Sequence, residues 1–233
     1  MTDDTNQGVW ESSFDRGDNF VFYPHEEVIR FVSKYFRKRV GLDEVRDIRP
    51  FKEKPRLLDV GCGIGRHIIY AASMGFDAYG IDLSERASAV ARAWAAREGL
   101  PNDATRIARG SVTKLPWPDD FFDALVSHGT FDSMRFVQAE KGMRECARVI
   151  KPKGLFYLDL ISGDDSRYPP GFSGEVTVET PHERGTIQSF FSPEKIKTLL
   201  RGHFEIIECT HLRRENALTE MHQARFHMVA QKA

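Results

Sequence analysis

The segment Leu57-Leu58-Asp59-Val60-Gly61-Cys62-Gly63-Ile64-Gly65-Arg66-His67 constrains the chain more than any other. An apolar run ends near an acid, passes through three alternating glycines and enters a helical pattern. A buried strand, a tight turn and a helix are what such a stretch forms. Glycine at these positions permits positive φ and lets a ligand approach the backbone closely. In an open α/β sheet that ligand lies in the crevice beyond the carboxyl ends of the strands.

The residues around this turn repeat the same logic. Arg56 to Val60 reads as a strand and Gly65 to Met74 as a helix. Asp77 to Asp82 is a second strand, and Ser84 to Glu98 an Ala-rich helix with Ser84 as N-cap. Ala104 to Arg109 and Phe121 to Ser127 are further strands. Asp132 to Val149 is helical, with Asp132 read as a cap, and Leu155 to Ile161 is an apolar fifth strand. Strands alternating with helices predict βαβ units and a parallel sheet with helices on both faces. After Ile161 the pattern changes. Ser162 to Gly174 reads as loop, and Glu175 to Thr180 with Thr186 to Phe191 as a small β-hairpin inserted after the fifth strand, the insert as a whole covering about residues 162–191. Ser192 and Pro193 mark a helix start. Phe204 to Cys209 and Arg225 to Ala230 close the sheet.

Ahead of residue 56 lies an arm dotted with aromatics, Trp10, Phe14, Phe20, Phe22 and Tyr23, which predicts that it packs onto the domain. Val28, Phe31, Val32, Tyr35 and Phe36 fall on one face of an amphipathic helix after Pro24. The expected organisation is an N-terminal arm and helix over 1–55, capping a single domain over 56–233.

Composition narrows the function classes. Apolar residues at 41% and charged residues at 29% exclude a mostly disordered chain. Lys plus Arg number 33 and Asp plus Glu 34, so a dedicated nucleic-acid binder is not expected. No apolar run is long enough for a bilayer, and the polar start carries no secretory pattern. Cys62, Cys146 and Cys209 build no disulfide framework or metal knuckle, which fits a cytoplasmic setting. His203, His211, His222 and His227 match no zinc spacing, so no metal is expected.

The glycine loop discriminates between ligands. A dinucleotide fingerprint starting at Gly61 needs a third glycine where Arg66 stands, and starting at Gly63 it meets Ile68. What stands is Asp59-x-Gly61-x-Gly63-x-Gly65. With Asp82 ending the second strand, Leu115-Pro-Trp-Pro before the fourth, and Lys151-Pro-Lys-Gly154 before the fifth, the chain resembles the class I S-adenosylmethionine-dependent methyltransferases. The resemblance covers roughly residues 56 to 161. It implies a doubly wound, seven-stranded, mostly parallel sheet in the order 3-2-1-4-5-7-6. It also implies S-adenosyl-L-methionine as cofactor, with Asp82 on the ribose hydroxyls and Asp59 serving the methionine ammonium. Gly61, Cys62, Gly63, Gly65, Leu83, Ser111, Val112 and Ser127 complete the implied cofactor set. Many members carry an acid where Ser111 stands. Cys62 is read as a small packed residue, and Arg66 and His67 as either solvated surface or ligand contacts.

The acceptor is less constrained. The polar-Pro-Pro-aromatic tetrad of amino-methylating DNA enzymes is absent after the fourth strand, and no cysteine follows a proline. A small-molecule acceptor methylated at oxygen or nitrogen is the expectation. His128, at the carboxyl end of the fourth strand, is the candidate base. Tyr23, His25, Arg167, Tyr168 and Arg184 are candidates to cover the acceptor, and arginines there suit an anion. A monomer or homodimer is expected. The rival readings are a non-catalytic S-adenosylmethionine-binding protein, a protein or RNA methyltransferase, and an NAD-dependent oxidoreductase.

Overall fold

A computed structural model describes residues 4–181 and 183–233; the first three residues of the expected arm lie outside it. The arm begins with helix α1 (Asp4–Arg16), followed by α2 (Glu26–Tyr35). A short hairpin of β1 (Arg37–Arg39) and β2 (Val45–Asp47) then leads into the sheet. The helix after Pro24 forms as its periodicity predicts, burying Val28, Phe31 and Val32.

The alternating segment follows as β3 (Arg56–Val60), α3 (Arg66–Ser73), β4 (Asp77–Asp82), α4 (Glu85–Arg97), β5 (Ile107–Arg109) and β6 (Phe122–Ser127). Next come α5 (Phe136–Val149), β7 (Ile150–Ile161), the inserted hairpin of β8 (Glu175–Thr177) and β9 (Ile187–Ser189), α6 (Pro193–Leu200), β10 (Phe204–Glu215) and β11 (His222–Lys232). The seven-stranded sheet runs β10-β11-β7-β6-β3-β4-β5. Strands β3 to β7 pair in parallel, and β11 is antiparallel to both β7 and β10. This is the expected order, read from its other edge.

Period-two alternation sends neighbouring residues to opposite layers. Leu58, Val60, Leu125, Phe156 and Met228 pack toward Met143 of α5 and Leu199 of α6. Leu57, Ala124, Val126, Leu155, Tyr157 and Val229 pack toward Phe31 of α2 and Ala71 of α3. Phe14 of α1 packs with Ile64 and Ala87, with Val90 and Trp94 of α4 alongside, so the aromatic arm is docked over the glycine-loop end of the sheet.

Five boundaries stand out as different from expectation. Strand β10 runs six residues past Cys209, and β11 starts at His222. Beyond the core the two strands pair with each other, Leu212 with Arg225 and Glu215 with His222. That polar extension carries no burial pattern. Strand β7 reaches back through the Lys-Pro-Lys-Gly turn because Ile150 pairs with Phe122 before it. Strand β5 is shorter than read. Helix α5 starts at Phe136 rather than Asp132, and Arg135, not Asp132, is its N-cap residue. The Phe136 amide donates instead to Glu175 Oε1 of the insert at 2.6 Å, a cap 39 residues away in sequence. Ser84 and Ser192 do cap α4 and α6 through their hydroxyls, as predicted.

Candidate active site

The glycine loop is built by the geometry its sequence demands. The Gly61 and Cys62 amides both donate to the Ile81 carbonyl at 2.9 Å, tying the turn to β4. Gly61 has φ +76°, and a Cβ there would lie 2.1 Å from Thr130 Oγ1, so no larger residue fits. Gly65 is left-handed at φ 91° and opens α3. Thr130 and Ser127 both donate to the Val60 carbonyl, at 3.0 and 3.1 Å, locking the exit of β6 against that of β3.

Asp82 ends β4 as the resemblance implies. Its Oδ2 accepts from the Gly63 amide at 2.8 Å and its Oδ1 from the Ser84 amide at 2.9 Å. Each oxygen keeps acceptor capacity for a further donor. Burial raises this carboxyl to about 6, against the opposing effect of the two backbone amides.

A cavity of about 390 Å³ opens on this loop. One end is lined by Gly61, Cys62, Gly63, Asp82, Leu83, Ser111 and Val112, under Trp10 and Phe14 of the arm. Toward the β7–β11 side it is lined by Arg66, His67, His128, Asp132, Met134, Gln188 and Arg225. Its size suits a nucleoside-sized ligand with a second small molecule beside it.

Three implied cofactor residues, Asp59, Gly65 and Ser127, do not line the cavity, and two that do, Cys62 and Ser111, are engaged locally. Asp59 and Ser127 are buried behind the loop and do not line the cavity, and Ser127 is spent on the Val60 carbonyl. Neither Asp59 oxygen has a hydrogen-bond partner among the described residues, and Oδ2 lies 3.4 Å from His67 Nδ1. Cys62 is packed against Gly80, and burial raises its thiol well above the usual range, which makes it inert. The Ser111 hydroxyl is held in a local turn with Thr113.

His128 does line the cavity, in an unusual electrostatic setting. Arg66 Nη2 lies 3.2 Å from its Nδ1. A guanidinium only donates, so Nδ1 is the acceptor and the proton sits on Nε2, 3.6 Å from Asp159 Oδ2. Burial pulls this imidazole down to about 3, with His25, Arg225 and Arg66 adding to the effect against Asp159. His128 is therefore neutral near pH 7, with its Nδ1 lone pair taken by Arg66 and its Nε2 facing Asp159. The His25 ring lies 4.1 Å from it, tilted by 42°, and burial holds His25 at about 4. The His25 amide donates to His67 Nε2 at 3.3 Å, so His67 carries its proton toward Asp59.

Of the expected covering residues, His25 stands against His128, and Tyr23, Arg167, Tyr168 and Arg184 stand off the cavity. Tyr23 is 82% exposed. Arg167 forms a two-pronged pair with Asp165, and Tyr168 stacks on Phe172 at 4.6 Å. Arg184 is exposed and donates to the Glu179 carbonyl. The arginines that do reach the cavity are Arg66 and Arg225. A lone arginine within an otherwise apolar strand, as in Ala224-Arg225-Phe226, is the sequence signal for the second.

Arg225 joins two buried carboxylates. It donates through Nη2 to Asp132 at 2.6 Å and through Nε to Asp159 at 2.8 Å. Asp159 also accepts the Gly129 amide at 2.7 Å, and Asp132 accepts the Ile161 amide at 2.8 Å. Burial pushes Asp159 up, but Arg225, His128 and the Gly129 amide hold it below the ordinary carboxylate range. Burial raises Asp132, reinforced by Asp159 and only partly opposed by Arg225. Among the described residues no group of His, Cys, Asp and Glu side chains is arranged to hold a metal ion.

S-Adenosylmethionine fits this donor set. Asp82 presents spare acceptor capacity for a ribose diol, the buried Asp59 carboxylate lacks a hydrogen-bond partner, and Leu83, Val112 and Phe14 offer apolar surface for a base.

Comparison with known proteins agrees. Residues 58–158 match the family model described as a methyltransferase domain. The uncharacterized methyltransferase YcgJ of Bacillus subtilis is 32% identical over 103 residues, covering 44% of this chain and 39% of that one. The 2-heptyl-1-hydroxyquinolin-4(1H)-one methyltransferase of Mycobacteroides abscessus is 27% identical over 140 residues, covering 60% of each. The chain thus spans between 39% and 60% of the length of these curated relatives. In fold it is similar to the Burkholderia thailandensis 1,6-didemethyltoxoflavin-N1-methyltransferase solved with 1,6-didemethyltoxoflavin and S-adenosylhomocysteine. That likeness has a TM-score of 0.69 at 17% identity, over 97% of this chain and 87% of that one. With glycine loop, strand order and family model in agreement, residues 58–158 form a methyltransferase domain, similar in sequence and fold to the class I S-adenosylmethionine-dependent methyltransferases.

Proposed function

We propose that the protein transfers a methyl group from S-adenosylmethionine to an oxygen or nitrogen of a small anionic acceptor. The observation that carries this reading is the cavity itself, which joins the Asp82 end to a wall bearing Arg66. Arg66 is half-buried, and burial lowers its proton affinity. Its contacts are His128 and, at 3.4 Å, the Tyr23 carbonyl; among the described residues no carboxylate forms an ion pair with it. A half-buried guanidinium so placed favours an anionic ligand group.

In this reading Asp82, Gly63 and the apolar residues around Val112 hold the cofactor, with Asp59 balancing its positive charge from behind the loop. When bound, the cofactor supplies an electrophilic methyl group on a sulfonium sulfur. The chain's own work is alignment and exclusion of water. Trp10 and Phe14 cover the cavity, Arg66 holds the acceptor's anion, and His128 keeps Arg66 in place by accepting from it. The cytoplasmic setting and a monomer or homodimer belong to the same reading.

The test is incubation with methyl-labelled S-adenosylmethionine and cell extract separated into small molecules, protein and RNA. Label in the small-molecule fraction, lowered by Arg66→Met, supports the reading. Label confined to protein or RNA, or none at all, overturns it.

A further inference from the structure

Asp132 is almost fully buried, lines the cavity and has one carboxylate oxygen left over. Its Oδ2 is taken by Arg225 and the Ile161 amide, while Oδ1 has no hydrogen-bond partner among the described residues. A buried acceptor without a donor is costly, and structures rarely retain one without use. Oδ2, doubly engaged, fixes the carboxylate in the cavity wall, with Oδ1 just beneath its surface. His128 cannot serve in its place, because its lone pair already receives Arg66.

Building on the methyltransferase reading, we propose that Asp132 Oδ1 receives the O–H or N–H of the methyl acceptor and takes its proton during transfer. The acceptor class is thereby narrowed to an anion that also carries a hydrogen-bond donor at the atom to be methylated. Arg66 holds the anion and Asp132 the donor. As the acceptor's new bond to the methyl carbon forms, its proton passes to Oδ1. The pair of the broken carbon–sulfur bond stays on sulfur, and the sulfonium charge and the carboxylate charge vanish together. The proton then leaves to water. The charged and titratable groups facing Asp132 are Arg225 from β11, Asp159 from β7 and, beyond it, His128 and Arg66. Buried beside Asp159, Asp132 is a stronger base than an ordinary carboxylate.

The experiment uses the full chain saturated with S-adenosylhomocysteine, with aspartate labelled by NMR-active carbon at the side-chain carboxyl. Probes are matched pairs of aromatic acids, each with a free O–H or N–H and with that group methylated, para-hydroxybenzoate and its methyl ether among them. The free form of at least one pair is expected to bind at least about tenfold tighter than its methylated partner. It should also move the Asp132 carboxyl resonance, identified by its absence from Asp132→Asn, and that variant should lose the preference while still binding S-adenosylhomocysteine. Equal binding within every pair, an unmoved Asp132 resonance, or a preference retained in Asp132→Asn overturns the proposal. Where Asp132→Asn fails to fold, Asp132→Glu identifies the resonance, and its response to the probes in the native protein still decides. Failure of the native protein to bind S-adenosylhomocysteine is a separate result, which removes the methyltransferase reading and this proposal with it.

Discussion

Arg225 Nη2 donates to Asp132 Oδ2 at 2.6 Å, joining a strand near the carboxyl terminus to a loop 93 residues earlier. The same guanidinium holds Asp159, so one cation bridges two buried carboxylates at the wall of the cavity. Arg225→Met leaves both without their partner. Removing one member of a buried ionic group costs about 3–5 kcal/mol. Denaturant unfolding at neutral pH should show a loss of that order, with the slope unchanged.

The acid limb of the stability curve should change with it. Asp159 is held below its usual value of 3.8, so its stabilisation is present above about pH 4 and is lost as pH falls further. In Arg225→Met this loss at low pH should shrink, because the cation that depresses Asp159 is gone. Thermal unfolding of both proteins between acid and neutral pH measures the difference.

Asp82 predicts the opposite slope. Its carboxyl is raised from 3.8 to about 6 in the free protein. Its contribution to stability is full below about pH 4 and is lost as pH rises through 6. Ligand binding needs the ionised form with its acceptors available. S-Adenosylhomocysteine affinity should therefore be flat above pH 7 and weaken about tenfold per unit well below pH 6, one proton being linked. Asp82→Asn should bind weakly at every pH and show no such bend.

The docked arm yields a third expectation. Glu11 Oε1 accepts the Arg86 amide at the start of α4 at 2.9 Å, and Phe14 is buried against Ile64 and Ala87. Phe14→Ala removes a core-like contact and should cost roughly 3 kcal/mol of local docking energy. Limited proteolysis should then cut near Arg16, and S-adenosylhomocysteine should bind several-fold more weakly while the sheet stays intact.

The glycine-loop end of the cavity was legible because close backbone approach demands glycines at given spacings, and a strand-end acid is visible beside them. Gly61, Gly63 and Asp82 line the cavity, and Gly65 opens α3 behind them. The strand order was legible through the family resemblance alone. The opposite wall was not. Arg225 and Asp132 meet through tertiary pairing of β11 with β7, which no local pattern encodes. The surface arginines Arg167 and Arg184 look like anion ligands in sequence, and only the fold reveals that Asp165 and a backbone carbonyl engage them. Asp132 looked like a helix cap for the same reason. Its proper partner is distant, while the real cap, Glu175, comes from the insert.

The most direct test of the central claim is calorimetric titration of the protein with S-adenosylmethionine and S-adenosylhomocysteine, with NAD as control, on the native chain and Asp82→Ala. Micromolar binding of both sulfur nucleosides, lost by at least about tenfold in the variant and absent for NAD, is the predicted result. No binding of either, or tighter binding of NAD, would contradict the account.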